Sequence, residues 1–81
     1  MKFYYVYILQ SNKDPNRFYT GFTEDFEERL AEHNDGKSVH TSALRPWRIK
    51  TCMAFTNRQV ALDFERYLKT ASGRAFAKKR L

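Results

Sequence analysis

Near the start of the chain, positions 3–9 are apolar on both alternating faces. Phe3, Tyr5, Tyr7 and Leu9 fall on one face, and Tyr4, Val6 and Ile8 on the other. Aromatic and β-branched residues suit a pleated surface packed on both sides, which predicts a central strand. The polar run 11–16 (SNKDPN) follows. Asn12, Asp14 and Asn16 can bond nearby backbone and Pro15 fixes φ, so the chain turns there. Residues 17–22 return as a second strand, making a hairpin. Pairing residue 9 with residue 17 would set Tyr7 opposite Tyr19 on one face. A slip of one residue would separate them. Gly21, near the end of this strand, predicts a bend or bulge.

Helical spacing comes next. Phe26 and Leu30 stand four apart as an apolar stripe, and Arg29 and His33, also four apart, lie on its flank. Thr23 or Asp25 caps this helix, with Asp25 and Glu28 at capping-box spacing. Asn34, Asp35 and Gly36 end it, Gly36 being free to turn left-handed. Residues 37–46 (KSVHTSALRP) are polar and without period, hence a loop. In residues 47–55, Ile49, Met53 and Phe55 alternate with Arg48, Lys50 and Cys52, which predicts a third strand, partly solvated on one face. Cys52 reads as a small buried hydrophobe. Thr56 and Gln59 make a capping box for a helix reaching about residue 70, with Val60, Ala61, Phe64, Tyr67, Leu68 and Ala71 inward. Glu65 falls on the border of that face. Ser72 and Gly73 break the helix, and residues 74–81 form a basic segment of one or two turns. The order β-β-α-β-α-α predicts an α+β fold, a three-stranded antiparallel sheet flanked by helices.

Length and composition narrow the picture. The 81 residues suffice for one domain over 1–81, with an aromatic content of 16% for a small core. The single cysteine excludes an internal disulfide and points to a reducing compartment. The N-terminal apolar run is too short to span a bilayer and lacks a small-residue cleavage site, so a cytoplasmic protein without membrane attachment is expected. Net charge is +6, unevenly spread. Residues 1–36 carry four basic and seven acidic residues, and residues 37–81 carry eleven basic and two acidic. A strongly basic C-terminal part favours a polyanion through counterion release.

The candidate chemistry is phosphodiester cleavage. It needs an activated water, charge stabilisation on the phosphoryl group and help for the leaving oxygen. Glu65 could hold one Mg2+, which keeps most of its waters and takes only one or two carboxylates. Arg29 could pair with a phosphate through two N–H groups. Tyr7, Tyr19 and His33 could orient or deprotonate water, although a phenol of pKa ~10 needs a nearby cation for that. Gly21 would let a phosphate approach the backbone. Each residue also has an ordinary reading: a core aromatic, a structural histidine, an ion pair of Arg29 with neighbouring glutamates, and a pair of Glu65 with Lys69 at i+4.

The arrangement resembles the GIY-YIG nuclease superfamily. Tyr5-Val6-Tyr7 and Tyr19-Thr20-Gly21 look like its paired motif. Gly21-Phe22-Thr23, Arg29-Leu30-x-x-His33-Asn34, Arg45-Pro46-Trp47 and Phe64-Glu65 follow in order. The likeness covers nearly the whole chain and is closest to small single-domain bacterial members. It implies Tyr19 as general base, Tyr7 assisting, Arg29 stabilising the phosphoryl charge, His33 at a position where relatives carry His or Tyr, and Glu65 as the single Mg2+ ligand, with Mn2+ as a substitute. Tyr5 and Thr20 replace the motif's first glycine and second isoleucine. Phe22 stands where some relatives carry lysine, and no asparagine follows Asn57. Without an appended DNA-binding domain, contacts to branched, nicked or single-stranded DNA would come from Lys37, His40, Thr41, Ser42, Arg45, Arg48, Arg74, Lys78 and Lys79. The resemblance thus implies a Mg2+-dependent, structure-selective DNA endonuclease, acting as a monomer or weak homo-oligomer with a protein partner for targeting. The alternatives are a non-catalytic nucleic-acid-binding module on the same scaffold and an adaptor for an acidic protein.

Overall fold

A computed structural model describes residues 1–81. Strand β1 (Tyr4–Ser11) is central, flanked by β2 (Phe18–Thr23) and β3 (Trp47–Phe55), both antiparallel to it. Helix α1 (Phe26–Asn34) follows the hairpin, and α2 (Arg58–Leu68) and α3 (Ala71–Arg80) close the chain. This is the expected α+β order. A short 3-10 turn at Ser42–Leu44 interrupts the long loop.

The hairpin register differs from expectation by two residues. Tyr7 pairs with Gly21 and Leu9 with Tyr19. The turn keeps its length but is centred one residue later, with the Ser11 hydroxyl accepting from the backbone N–H groups of Lys13 and Asp14. A slip of two preserves side-chain parity, so Tyr7 and Tyr19 still share a face, now as diagonal neighbours.

Each face of the sheet is covered by a different element. Tyr7 and Leu9 point toward α1 and pack with Tyr19, Phe26, Leu30, Leu44 and Trp47. Val6 and Ile8 point the other way, toward Ala61 and Leu68 of α2, with Phe22, Met53, Phe55 and Ala77 around them. Burying a Leu or Ile of this kind stabilises the fold by about 1.5–3 kcal/mol. A bulge between Ile8 and Leu9 of β1 and Ile49–Thr51 of β3 breaks the alternation predicted for β3. Ile49 lies opposite Leu9 on the α1 face, whereas Met53 and Phe55 pack on the α2 face. Cys52, opposite Tyr7 on the edge strand β3, is exposed rather than buried.

The helix caps refine the expected boundaries. Asp25 caps α1 by accepting from Glu28 N–H, and the Thr23 hydroxyl accepts in turn from Asp25 N–H. Gly36 takes φ 77° after the helix. Asn57, not Thr56, caps α2, and Gln59 donates instead to Asp63. Asn is at least as good a cap as Thr, and the helix starts one residue later than expected. Ser72 and Gly73 do not break a helix; they lie in the first turn of α3, which Thr70 caps. Gly73 is there for space. A Cβ on it would stand 2.5 Å from the Tyr67 carbonyl carbon, so only glycine lets α3 fold back this tightly against α2.

Candidate active site

The site begins at Gly21. Tyr7 lies across it, and a Cβ at that position would come within 2.5 Å of the Tyr7 Cζ. Gly21 therefore makes room for the Tyr7 ring on β2. The ring is held there by Phe26 at 5.5 Å between centroids and by His33 at 5.9 Å. Tyr7 is only 1% exposed.

Helix α1 brings two polar side chains over the tyrosines. His33 is fully buried, and its Nε2 is 3.0 Å from the Tyr7 hydroxyl. Its Nδ1 is 2.7 Å from Thr41 Oγ1. The Tyr19 ring packs on the same imidazole at 4.9 Å. One turn earlier, Arg29 stands close enough for both phenols to influence its charge. The Tyr7 hydroxyl, the His33 imidazole and the Thr41 hydroxyl form one buried hydrogen-bonded chain.

Burial and charge set the protonation states. Burial pushes the Tyr7 phenol up, Arg29 opposes it, and the Tyr19 phenol and the Glu65 carboxylate add to the rise. Burial works to lower the Arg29 pKa, but hydrogen bonding to the two phenols outweighs it and raises the value. Burial and the adjacent Arg29 charge lower the His33 pKa, so the imidazole is neutral at neutral pH. Tyr7 is thus a neutral, enclosed phenol, and Tyr19, half-buried at the β2 edge, is the more accessible of the two.

This arrangement has a counterpart. The model of the GIY-YIG catalytic domain matches residues 3–80. The chain belongs to the GIY-YIG family. Over 72 residues it is 36% identical to UPF0213 protein BH0048 of Halalkalibacterium halodurans, covering 88% of this chain and 74% of that protein. It is 36% identical over 70 residues to UPF0213 protein YsiG of Lactococcus lactis, covering 85% and 65%. It is also 42% identical over 74 residues to the structure-specific endonuclease subunit SLX1 of Meyerozyma guilliermondii. That match covers 84% of this chain but 25% of the SLX1 subunit, so the chain spans about a quarter of that relative.

Within this GIY-YIG domain the five central candidates do not all touch. Tyr7, Tyr19, Arg29 and His33 form one cluster. Glu65 comes from α2, which packs on the Val6–Ile8 face of the sheet, and its charge adds to the rise at Tyr7. Its side chain is 13% exposed and ion-paired to Lys69 Nζ at 2.5 Å. The pair of Arg29 with Glu32, at 3.5 Å, also forms. No cluster of three or more His, Cys, Asp or Glu side chains is placed to hold a metal. The donor set is one hard carboxylate that already attracts a cation. That fits a largely hydrated Mg2+ or Mn2+ and not a closed tetrahedral zinc site.

The candidate DNA contacts divide between two places. Lys37 and His40 are exposed in the loop beyond α1, Ser42 is half-buried in the 3-10 turn, and the Arg45 guanidinium folds over Gly36. Arg48 is hydrogen-bonded to Asn12 in the hairpin turn. Arg74 and Lys78 lie on the opposite side of the sheet, in a groove beside β2; Lys79 is exposed on α3 outside it. Thr41 is a correction: it is 1% exposed and its hydroxyl is taken by His33, so it does not face a phosphate. Sequence reasoning also missed Asn34, which accepts from Trp47 N–H at 2.6 Å and donates back to the Trp47 carbonyl, tying α1 to β3. No spacing rule joins positions 34 and 47, so only the motif Arg29-x-x-x-His33-Asn34 hinted at it.

The buried His33 predicts a pH effect on stability. Its folded pKa lies below the unfolded value of ~6.5, so the unfolded chain binds more protons as pH falls through that value. Stability should be retained above pH ~6.5 and lost progressively below it. Thermal melts from pH 7.5 to pH 5 should show this fall, and His33→Gln should flatten it. An equal slope in the variant would assign the effect to other groups.

Proposed function

We propose that this chain is a metal-dependent endonuclease that hydrolyses phosphodiester bonds in DNA and selects substrates by structure rather than sequence. The observation that carries the reading is the packing of Tyr7, Tyr19 and His33 into one cluster, with Arg29 one helical turn from His33, in a chain of the GIY-YIG family. The SLX1 relative's description as a structure-specific endonuclease subunit supports the substrate class.

In this mechanism Tyr19 is the general base for the attacking water. The water oxygen bonds to phosphorus, and one ester P–O bond breaks. Arg29 neutralises charge on the non-bridging oxygens. Tyr7 holds Arg29 and is itself held by the His33–Thr41 chain, which fixes its ring and hydroxyl. Glu65 would hold Mg2+, which when bound supplies charge neutralisation and a polarised leaving oxygen.

Plasmid, flap and single-stranded substrates incubated with the protein should be nicked with Mg2+ and spared with EDTA. Arg29→Ala should lower the rate by about 10²–10³-fold, the cost of removing one donor at a developing charge. Equal cleavage by this variant would remove Arg29 from the mechanism. The Glu65–Lys69 pair favours a second reading, a non-catalytic nucleic-acid-binding module, because an ammonium occupies the carboxylate. Binding that survives EDTA and yields no product on any substrate would select it.

A further inference from the structure

The groove beside β2 is not explained by the tyrosine site. It has a volume of about 750 Å³ and lies on the α2 and α3 side of the sheet. Arg17, Phe18, Lys50, Lys69, Arg74 and Lys78 line it, and none of its twelve lining residues is acidic. Only Lys69 is compensated. Arg17, Lys50, Arg74 and Lys78 take part in none of the ion pairs. Uncompensated like charges around one concavity repel one another and favour an anion there.

Two features make this more than a basic surface. Phe18 is an aromatic ring left 50% exposed on the groove wall. Lys50 is the bulged residue of β3, and its Nζ stands 5.9 Å from the Phe18 ring centroid. Strict alternation from Thr51 would send Lys50 to the tyrosine face; the bulge turns it onto the groove instead. An exposed aromatic ringed by cations is the pattern that stacks a base and grips the flanking phosphates. A groove of this volume has room for a base with its sugar and phosphate.

We propose that this groove binds a single-stranded segment of DNA, with Phe18 stacking a base and Arg17, Lys50, Arg74 and Lys78 contacting phosphates. One end of the groove meets Tyr19, and Lys69 joins it to Glu65. A strand seated there leads to the proposed cleavage site. That last use rests on the nuclease reading; the binding does not.

The test is fluorescence anisotropy of labelled oligo(dT) and of a blunt duplex of equal length, both in EDTA. The wild type should bind the single strand more tightly. Phe18→Ala should weaken that binding by about tenfold, with the melting temperature retained because the ring is exposed. Lys50→Ser and Arg74→Ser should each lower the salt slope by about 0.7, and Arg66→Ser, outside the groove, should not. Unchanged binding by Phe18→Ala, or equal losses from all three basic replacements, would overturn the proposal. So would tighter binding to anionic lipid vesicles than to oligo(dT). The two readings fail separately. Groove-dependent binding with no Mg2+-dependent product would sink the nuclease alone, and cleavage with groove-independent binding would sink the groove alone.

Discussion

Glu65→Gln should abolish Mg2+-dependent cleavage while leaving the fold and DNA binding in place. The substitution keeps the shape of a side chain that is 13% exposed on α2 and removes only its charge. The lost contact is a helical i,i+4 pair with Lys69, worth about 0.3–0.5 kcal/mol, so the melting temperature should move by a few degrees at most. The chemical loss should be far larger. Glu65, on α2, is the candidate metal ligand, and no cluster of three or more His, Cys, Asp or Glu side chains stands ready to hold the ion without it. An amide is a poor ligand for a hard divalent cation, and the phosphoryl charge would then be met by Arg29 alone. A fall of at least about a hundredfold is expected in nicking assays at saturating Mg2+. Equal rates for the variant and the wild type would remove Glu65 from the site.

Gly21→Ala should cost both stability and activity. In an ordinary strand, replacing an interior glycine strengthens the strand, because glycine has the most conformational freedom to lose. Here the new methyl would meet Tyr7 at Cζ, 2.5 Å away, and at Cε1, 3.1 Å away. Tyr7 cannot step aside easily, because Phe26, Tyr19 and His33 box it in. Overpacking of this kind costs about 1–3 kcal/mol, which for a domain of this size lowers the melting temperature by roughly 5–15 °C. Cleavage should fall further, because a displaced Tyr7 hydroxyl leaves His33 Nε2 and Arg29. A double-mutant cycle checks the cause: in a Tyr7→Leu background, Gly21→Ala should be nearly harmless. The same loss in both backgrounds would show that the clash with Tyr7 is not responsible.

The Gly21→Ala outcome depends on a contact that strand pattern alone misplaced. The alternation of aromatics in residues 3–9 and 17–22 was legible, and so was the shared face of Tyr7 and Tyr19. Their pairing was off by two residues because the hairpin turn is closed by the Ser11 hydroxyl, which periodicity does not encode. The helix flank bearing Arg29 and His33 was legible for the opposite reason: positions four apart on one helix are neighbours whatever surrounds them. The bulge at Lys50 was invisible. It moves Ile49 and Met53 to different faces, contrary to the simple alternation of β3.

The sequence by itself determined the order of elements, the capped helix with its Arg29–His33 edge, the inward face of α2 and the basic C-terminal part. Those features rest on local spacing and composition, which folding does not rearrange. The tertiary structure alone decided which partner each polar group keeps. It turned Thr41 inward to His33, laid Tyr7 over Gly21, gave Glu65 to Lys69, and gathered Arg17, Phe18, Lys50, Arg74 and Lys78 from three separate stretches of chain around one groove. Such contacts join residues far apart in sequence. They are fixed by register, bulge and helix docking, and no local period carries that information.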